Sequence, residues 1–372
     1  MTMSNLAIAD LFRRATLPAL ISPSQEMLCL DALRFVAACG IVLLHSKKFL
    51  FVSTSLRPSD ELALFVDLFF TISGFVIAYV YDAKLISIRA YGTFLQRRVG
   101  RLVPLHWLTL IVALLVWSGV VLLGASTKHL PSFRPFCIGE TVFLVHALVD
   151  RCDGRYFNDV SWSISVEMAM YVLFPVAAVI GRRSGYLLAV VALLALAGVT
   201  VSLIDESPSI FDVKWLALPP LTRGIASFLV GVAFCYNQTL LRGISRADIW
   251  FVASVVLVIP AILWGLPQIF IIPMLYAVVA FAISADLNGI APRVAKVLAP
   301  LGLLTYSIYM WHGIIILLVL NAIGDKLIAG AQVVRLLLAA ICYATIFIVA
   351  YSSYFWLETP ARKWVDGLKL FG

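Results

Sequence analysis

The stretch from Leu28 to Val52 carries the side chains whose types and spacing best suit chemistry. Arg34 and His45 are eleven residues apart, which at 100° per residue is within about 20° of three helical turns. Both side chains therefore share one face of a helix, about 16 Å apart along its axis. Asp31 lies on the same stripe and could pair with Arg34. Because ionisable groups at membrane depth normally face a protein interior or a wet cavity, this face is a candidate site.

A less specific interpretation of the same stretch stays open. Arg34, Lys47 and Lys48 would extend toward the two membrane interfaces, while His45 would only hydrogen-bond a neighbouring helix. The two interpretations differ in what surrounds the stripe, so the remaining elements of the chain have to decide between them.

The composition is that of a polytopic membrane protein. Hydrophobic residues make up 62% of the 372 positions, charged residues make up 13%, and the mean hydropathy is +1.00. The net charge of +8 falls in short clusters between apolar runs, which indicates cytoplasmic loops and not a nucleic-acid surface. The first twenty residues lack the pattern of a cleavable signal peptide. No CxxC or Cys/His spacing indicates a metal.

Ten apolar runs have the length of membrane-spanning helices. The predicted spans are 28–52, 62–81, 103–123, 161–180, 186–204, 216–236, 249–266, 269–285, 301–323 and 333–356. The basic segment 84–101 reads as a cytoplasmic loop, and with both termini inside the ten spans satisfy the positive-inside rule. The apolar segment 137–149 is too short to cross and is expected to be re-entrant or interfacial. The prediction is an all-α protein with a lead-in at 1–26, a membrane domain at 27–364 and a tail at 365–372.

Two cysteines bracket the short segment on the predicted outer side. A straight helix would hold the Cα atoms of Cys137 and Cys152 about 22 Å apart, whereas a disulfide needs less than about 7 Å. They can pair only if the segment folds back, so we expect unpaired thiols. Cys39, Cys235 and Cys342 lie within apolar spans and are expected to be small packing residues.

Further ionisable residues lie at membrane depth. Glu167 enters the outer part of its span as a possible acid or base, or as the partner of an arginine such as Arg223. His312 is expected at nearly the depth of His45, with a structural role as the alternative. Asp67, near the outer end of its span, could orient a histidine.

Arg98 and Arg101 form a pair at positions i and i+3, close to where Arg34 should emerge. Guanidinium groups bind phosphate in a bidentate manner, so three of them around one entrance would suit a phosphorylated donor. The alternative is that they only fix the orientation of the protein in the membrane. The sequence has neither GxxxxGK[ST] nor a strand followed by GxGxxG, so such a donor would be bound by the helix bundle itself.

Several segments together resemble the membrane acyltransferase 3 family. They are LDALRFVAACGIVLLH, DLFFTISGF, RRVGRLVP, SWSISVE followed by Phe174–Pro175, RGIASFLVGV, YSIYMWH and LETPARKW. The resemblance runs in order from residue 28 to 364. It is greatest to members that O-acetylate bacterial exopolysaccharides, O-antigens or Nod factors. The hydrolase-like SGNH domain of some relatives is expected to be absent, since about fifteen residues follow the last span.

The resemblance implies a ten-helix bundle in the bacterial inner membrane that passes an acetyl group from cytoplasmic acetyl-CoA, or another acyl-CoA, to a glycan outside. It carries the family's two arginine motifs onto Arg34 with His45 and onto Arg98 with Arg101. Assembly proteins of the polysaccharide are possible partners.

Combined with the spacing, the resemblance predicts specific roles. Arg34, Arg98 and Arg101 would hold the donor phosphates. His45 would act as general base or as transient acyl carrier, and Glu167 and His312 would orient or deprotonate the acceptor hydroxyl. Asp31, Asp67 and Arg223 would support them.

Two other functions remain open at this point. One is a transporter of a solute or lipid-linked sugar, although no internal repeat is evident. The other is a non-catalytic factor in polysaccharide assembly.

Overall fold

The computed structural model describes residues 27–51, 58–85, 87–124, 130–149, 152, 156–205, 218–324, 332–368 and 370. Every regular element within these ranges is helical. The α-helices are α1 Leu28–Leu50, α2 Phe65–Tyr81, α3 Ile88–Leu122, α4 Pro135–Val142, α5 Trp162–Arg183, α6 Gly185–Asp205, α7 Leu218–Tyr236, α8 Gln238–Arg242, α9 Ala247–Leu263, α10 Gln268–Leu287, α11 Arg293–Leu298, α12 Thr305–Ile316, α13 Gln332–Ser353 and α14 Thr359–Gly367. The predicted lead-in at 1–26 lies outside the described residues.

The helices confirm an all-α polytopic membrane protein. Seven described helical segments are long and apolar enough to span a bilayer, and three shorter apolar helices occupy 185–198, 221–236 and 247–263. An apolar segment in a bilayer must satisfy its backbone hydrogen bonds internally, and the helix is the form that does so within one segment. These ten elements correspond to the ten predicted spans. Their orientation in the membrane stays a prediction.

Small residues let the helices approach closely around α2. A Cβ added at Gly231 of α7 would collide with the backbone carbonyl of Thr71, and one at Gly74 of α2 would collide with that of Phe228. Gly40 of α1 similarly makes room for the ring of Phe65. Apolar side chains gain little by leaving lipid tails, which are equally apolar, so the hydrophobic effect does not drive membrane helices together. Close van der Waals packing of this kind therefore holds the helices against each other.

The basic segment before the third span is not a loop, which corrects the prediction. Helix α3 has 35 residues and begins at Ile88, where the Ser87 hydroxyl accepts a hydrogen bond from the Ala90 amide at 3.1 Å. At 1.5 Å per residue the helix is about 52 Å long, more than a bilayer core requires. Arg98 and Arg101 therefore lie on a helix, with their relative positions fixed by it.

The short apolar segment does not cross as a straight helix, and its cysteines are joined. Helix α4 has eight residues, and the chain turns at Leu144, whose φ is 57°. This turn brings Cys137 and Cys152 into a disulfide with a Cα–Cα distance of 5.9 Å. The expectation of unpaired thiols was wrong because it assumed a straight segment.

The three remaining cysteines in apolar spans do not behave alike. Cys235 and Cys342 are buried, as expected of small packing residues, whereas Cys39 is exposed. The packing interpretation is therefore wrong for Cys39, which faces outward from α1.

Candidate active site

Helix α1, which carries Arg34 and His45, is held at its first turn by a distant residue. Its N-cap Met27 offers no side-chain hydrogen bond. Instead the carboxylate of Asp286, at the end of α10, accepts hydrogen bonds from the amides of Cys29 at 2.8 Å and Leu30 at 3.1 Å. A carboxylate at a helix N-terminus satisfies amides that have no partner within the helix. The position of the stripe is thus fixed from α10.

At the other end of the stripe, two histidines meet. The His45 Nδ1 atom lies 3.3 Å from the Nε2 atom of His312 on α12, and the ring centroids are 4.9 Å apart. His312 is fully buried. The prediction that the two residues lie at similar depth is confirmed, and the structure goes further by placing their rings in contact.

The hydrogen bonds of this pair identify which nitrogen of each ring carries the proton. The His312 Nδ1 atom lies 2.6 Å from the carbonyl oxygen of Tyr309, which can only accept, so Nδ1 donates and Nε2 presents a lone pair. His45 Nδ1 lies 2.9 Å from the carbonyl oxygen of Ile41 and 3.3 Å from the lone pair of His312 Nε2, so Nδ1 carries the proton and shares its one N–H between these two acceptors. The basic lone pair of His45 is therefore on Nε2, which has no hydrogen bond among the described residues. His45 is exposed.

The arginines cluster at the end of the stripe nearest the start of α1. Arg34 pairs with Asp31 at 3.0 Å, as the spacing predicted. Arg34 is also within electrostatic reach of Arg101. Arg98 donates to the Tyr81 hydroxyl at 2.8 Å, and its guanidinium lies 5.0 Å from the centre of that ring. Guanidinium groups from α1 and α3 that interact electrostatically suit a site for an anion.

Arg101 and Arg34 differ in exposure. The side chain of Arg101 is exposed, whereas that of Arg34 is half-buried.

One face of α5 connects the histidines to the arginines. Ser163, Glu167 and Tyr171 follow each other at spacings of four, so they form a single stripe about 12 Å long. Ser163 donates to the hydroxyl of Tyr309 at 2.8 Å, next to His312. Tyr171 donates to Glu167, and both interact electrostatically with Arg34. Polar groups thus continue from one end of the α1 stripe to the other.

Glu167 has hydroxyl partners, not a cation, as its direct contacts. Besides Tyr171, Ser73 of α2 donates to its Oε1 atom at 3.0 Å. The alternative in which Glu167 binds Arg223 is wrong, because Arg223 is engaged elsewhere. Glu167 is half-buried, so it is accessible from the space between the helices.

Asp67 and Arg223 form a separate buried pair. The Arg223 Nη2 atom donates to Asp67 Oδ2, and its Nε atom lies 3.3 Å from Oδ1. Ser227 also donates to Asp67, at 3.2 Å. Among the described residues Asp67 contacts no histidine, so the prediction that it orients one was wrong. The pair joins α2 to α7.

Sequence reasoning missed four polar residues around this site: Ser73, Tyr171, Tyr309 and Glu358. Tyr171 and Tyr309 could have been found, since they lie four residues after Glu167 and three before His312. Glu358 is buried at the end of a π-helical segment, accepts a hydrogen bond from Ser307 and is within electrostatic reach of Arg101. Single-turn π segments are frequent at functional sites.

Comparison with known proteins identifies the chain. A family model described as an acyltransferase domain matches residues 27–358. The chain belongs to this acyltransferase family. It is therefore a multi-pass membrane enzyme of the transferase class, which favours neither the transporter nor the assembly factor.

Three relatives of this acyltransferase align over most of its length. Acyltransferase MdmB of Streptomyces mycarofaciens is 25% identical over 338 residues, covering 81% of this chain and 80% of the relative. The exopolysaccharide production protein ExoZ of Rhizobium meliloti is 24% identical over 310 residues, covering 80% and 89%. A putative O-acetyltransferase of Staphylococcus aureus is 23% identical over 381 residues, covering 91% of this chain and 58% of that longer protein. No solved structure gives a significant match.

Proposed function

We propose that this acyltransferase moves an acetyl or other short acyl group from cytoplasmic acyl-CoA to a hydroxyl of a cell-surface polysaccharide or lipid-linked glycan. The observation that carries the proposal is the contact between His45 and His312 at one end of a polar stripe whose other end is an arginine cluster. The similarity to ExoZ supports a polysaccharide acceptor. We place the protein in the bacterial inner membrane, where acyl-CoA is available on one face.

The arginine cluster would bind the donor. Arg34, Arg98 and Arg101 offer guanidinium groups to the phosphates of CoA, for which bidentate hydrogen bonds are the strongest available contacts. From there the pantetheine arm would follow the polar stripe of α5 toward His45. The span of about 16 Å along α1 sets the depth to which the thioester is carried.

His45 would perform the transfer through its Nε2 atom. As general base, Nε2 takes the proton of the acceptor hydroxyl while that oxygen attacks the thioester carbonyl, and the C–S bond then breaks. The proton returns from His45 to the CoA thiolate, which leaves as the free thiol. As acyl carrier, Nε2 instead attacks the carbonyl itself, the C–S bond breaks and the CoA thiolate leaves. The acceptor hydroxyl then attacks the acyl group, the bond from Nε2 to the acyl carbon breaks, and the hydroxyl proton passes to the freed Nε2 and from there to the thiolate. Both routes need the unprotonated Nε2 that the hydrogen bonds of His45 leave available.

His312 would assist by accepting, at its Nε2 atom, the hydrogen bond from Nδ1 of His45. When Nε2 of His45 gains a proton or an acyl group, the ring becomes positive, and the hydrogen bond to His312 becomes charge-assisted. Glu167 lies on the same polar face and would orient the acceptor hydroxyl or deprotonate it.

The test is acyl transfer by the purified protein in detergent with labelled acetyl-CoA and isolated surface polysaccharide. Wild-type protein should give labelled ester, and His45→Ala should give none. Loss of transfer in Arg34→Ala at unchanged protein level would argue against an assembly role. Normal O-acetylation of the polysaccharide in intact cells carrying His45→Ala would refute the assignment.

A further inference from the structure

Helix α14 packs against the first half of α3, which carries two of the clustered arginines. A Cβ added at Gly100 of α3 would come within 2.8 Å of the Val365 side chain. One turn earlier, the buried side-chain amide of Gln96 donates a hydrogen bond to the backbone carbonyl of Val365. The two helices are therefore in direct contact, and α14 lies at the same end of the bundle as Arg98 and Arg101.

The chain that leads into α14 passes next to Arg101. Glu358 is buried and accepts a hydrogen bond from Ser307. Its carboxylate is within electrostatic reach of both Arg101 and Arg362. The Tyr354 hydroxyl, four residues earlier, is also within reach of both arginines. Arg101 of α3 and Arg362 of α14 therefore lie around the same two side chains.

Arg362 lies farther from His45 than Arg101 does. The chain runs from Glu358, near Arg101, to Val365, beside the first half of α3, so it advances toward the start of α3. Arg362 is one helical turn along this path, or about 6 Å beyond Glu358. Because α1 and α3 run in the same predicted direction, this path leads away from His45.

The guanidinium groups of Arg101 and Arg362 are available to a ligand. Within the described part of the chain, neither of them donates a hydrogen bond or makes a contact ion pair. Arg101 is exposed and Arg362 is half-buried, so both can be reached. Two such groups on adjacent helices suit a ligand that carries two separate phosphate groups.

We propose that Arg362 binds the 3′-phosphate of the CoA donor, so that α14 completes the donor site and the enzyme selects CoA thioesters over thioesters that lack this phosphate. The inference rests on the proposed function, in which Arg34, Arg98 and Arg101 bind the donor. It divides that site into a part for the pyrophosphate, at these three arginines, and a part for the 3′-phosphate, at Arg362.

The order of groups along CoA matches the order of these residues. The pyrophosphate joins the pantetheine arm to the nucleotide, and the 3′-phosphate is on the ribose of that nucleotide. With the thioester at His45 and the pyrophosphate near Arg101, the nucleotide extends in the direction of Arg362. A phosphate monoester offers the oxygens that a guanidinium group binds in a bidentate manner.

The test compares acetyl-CoA with acetyl-dephospho-CoA, which lacks only the 3′-phosphate. Their Kd values are measured with the purified full-length protein in phosphatidylcholine nanodiscs, through ligand-induced thermal stabilisation. Wild-type protein should bind acetyl-CoA about tenfold to a hundredfold more tightly, as expected for hydrogen bonds to a charged group. Arg362→Gln should remove this difference by weakening acetyl-CoA. It should leave the Kd of acetyl-dephospho-CoA within about twofold, because salt screens the more distant pyrophosphate.

Two control variants separate phosphate recognition from general effects. Lys363→Gln removes the same charge from the neighbouring residue, which is exposed, and should leave both Kd values unchanged. Arg362→Lys keeps the charge but loses the planar group, so its Kd for acetyl-CoA should lie between those of the wild-type protein and Arg362→Gln.

Equal affinities of wild-type protein for the two thioesters would overturn the assignment of Arg362, even if Arg362→Gln failed to fold. The proposed function would stand, because both donors would still bind. An equal loss of affinity for both thioesters in Arg362→Gln would also overturn the assignment, since Arg362 would then act on the whole donor site. Absence of binding by either thioester would overturn both the assignment and the proposed donor.

A lipid headgroup carries the same chemistry, and a second measurement distinguishes it. The thermal midpoint of the donor-free protein is compared in phosphatidylcholine and phosphatidylglycerol nanodiscs. Arg362→Gln should leave the difference between the two lipids unchanged. If it abolished that difference and altered neither Kd, Arg362 would bind a lipid headgroup, and its assignment to the donor site would be overturned.

Discussion

Replacing His312 by alanine tests the role of the histidine contact most directly. The His312 Nε2 atom is 3.3 Å from His45 Nδ1 and is oriented by the hydrogen bond from its own Nδ1 to Tyr309. A hydrogen bond to a group that becomes charged contributes about 1.5–3 kcal/mol, so its loss should lower the transfer rate about tenfold to a hundredfold. His312→Gln keeps an acceptor oxygen and should recover part of the rate. His45→Ala should abolish transfer.

The assay is the initial rate of labelled acetyl transfer at saturating acetyl-CoA, with the thermal midpoint of each variant measured in parallel. His106→Ala is a matched control, because His106 is also fully buried and hydrogen-bonded to a carbonyl, that of Thr141, at 2.8 Å. It should lower the midpoint without a comparable loss of rate. If His312→Ala and His106→Ala reduced the rate equally, or if His312→Ala kept the wild-type rate, the reasoning about the two rings would be refuted.

Three further changes have expected outcomes. Asp67→Ala leaves Arg223 buried and unpaired and should lower the free energy of unfolding by about 3–5 kcal/mol. The double variant Asp67→Ala with Arg223→Ala should lose less than the sum of the two single changes, and thermal unfolding in detergent measures both effects. Cys137→Ser opens a loop of about 15 residues and should lower the free energy of unfolding by about 3 kcal/mol. Reductant should lower the thermal midpoint of the wild-type protein but not that of the variant. Arg98→Lys keeps the charge but loses the planar guanidinium above the ring of Tyr81. The Kd of acetyl-CoA, measured by thermal stabilisation, should therefore rise several-fold. An unchanged Kd would show that Arg98 is not part of the donor site.

Helical periodicity predicted those parts of the site that lie on one helix. The shared face of Arg34 and His45, the pairing of Arg34 with Asp31, and the spacing of Arg98 and Arg101 all follow from about 3.6 residues per turn. The resemblance of the ordered motifs to an acyltransferase family was also available from the sequence, and the match over residues 27–358 confirms it.

Contacts between helices could not be predicted in the same way. Asp67 was expected to orient a histidine, and Arg223 was one possible partner of Glu167, but Asp67 binds Arg223 and Glu167 binds Ser73 and Tyr171. A carboxylate at membrane depth needs a hydrogen-bonding or charged partner. The sequence predicts that such a partner exists but not which residue it is. The same holds for the capping of α1 by Asp286, which comes from 257 residues further along the chain.

The sequence by itself determined that this chain is a helical membrane protein, where its spans lie, and which side chains share a face on each of them. It could do so because apolar length and periodicity are properties of a single segment. Only the tertiary structure decided that His312 meets His45 with the lone pair of His45 left on Nε2, and that Cys137 reaches Cys152. These features depend on which helices are neighbours and how they are rotated, and close packing between distant segments fixes both.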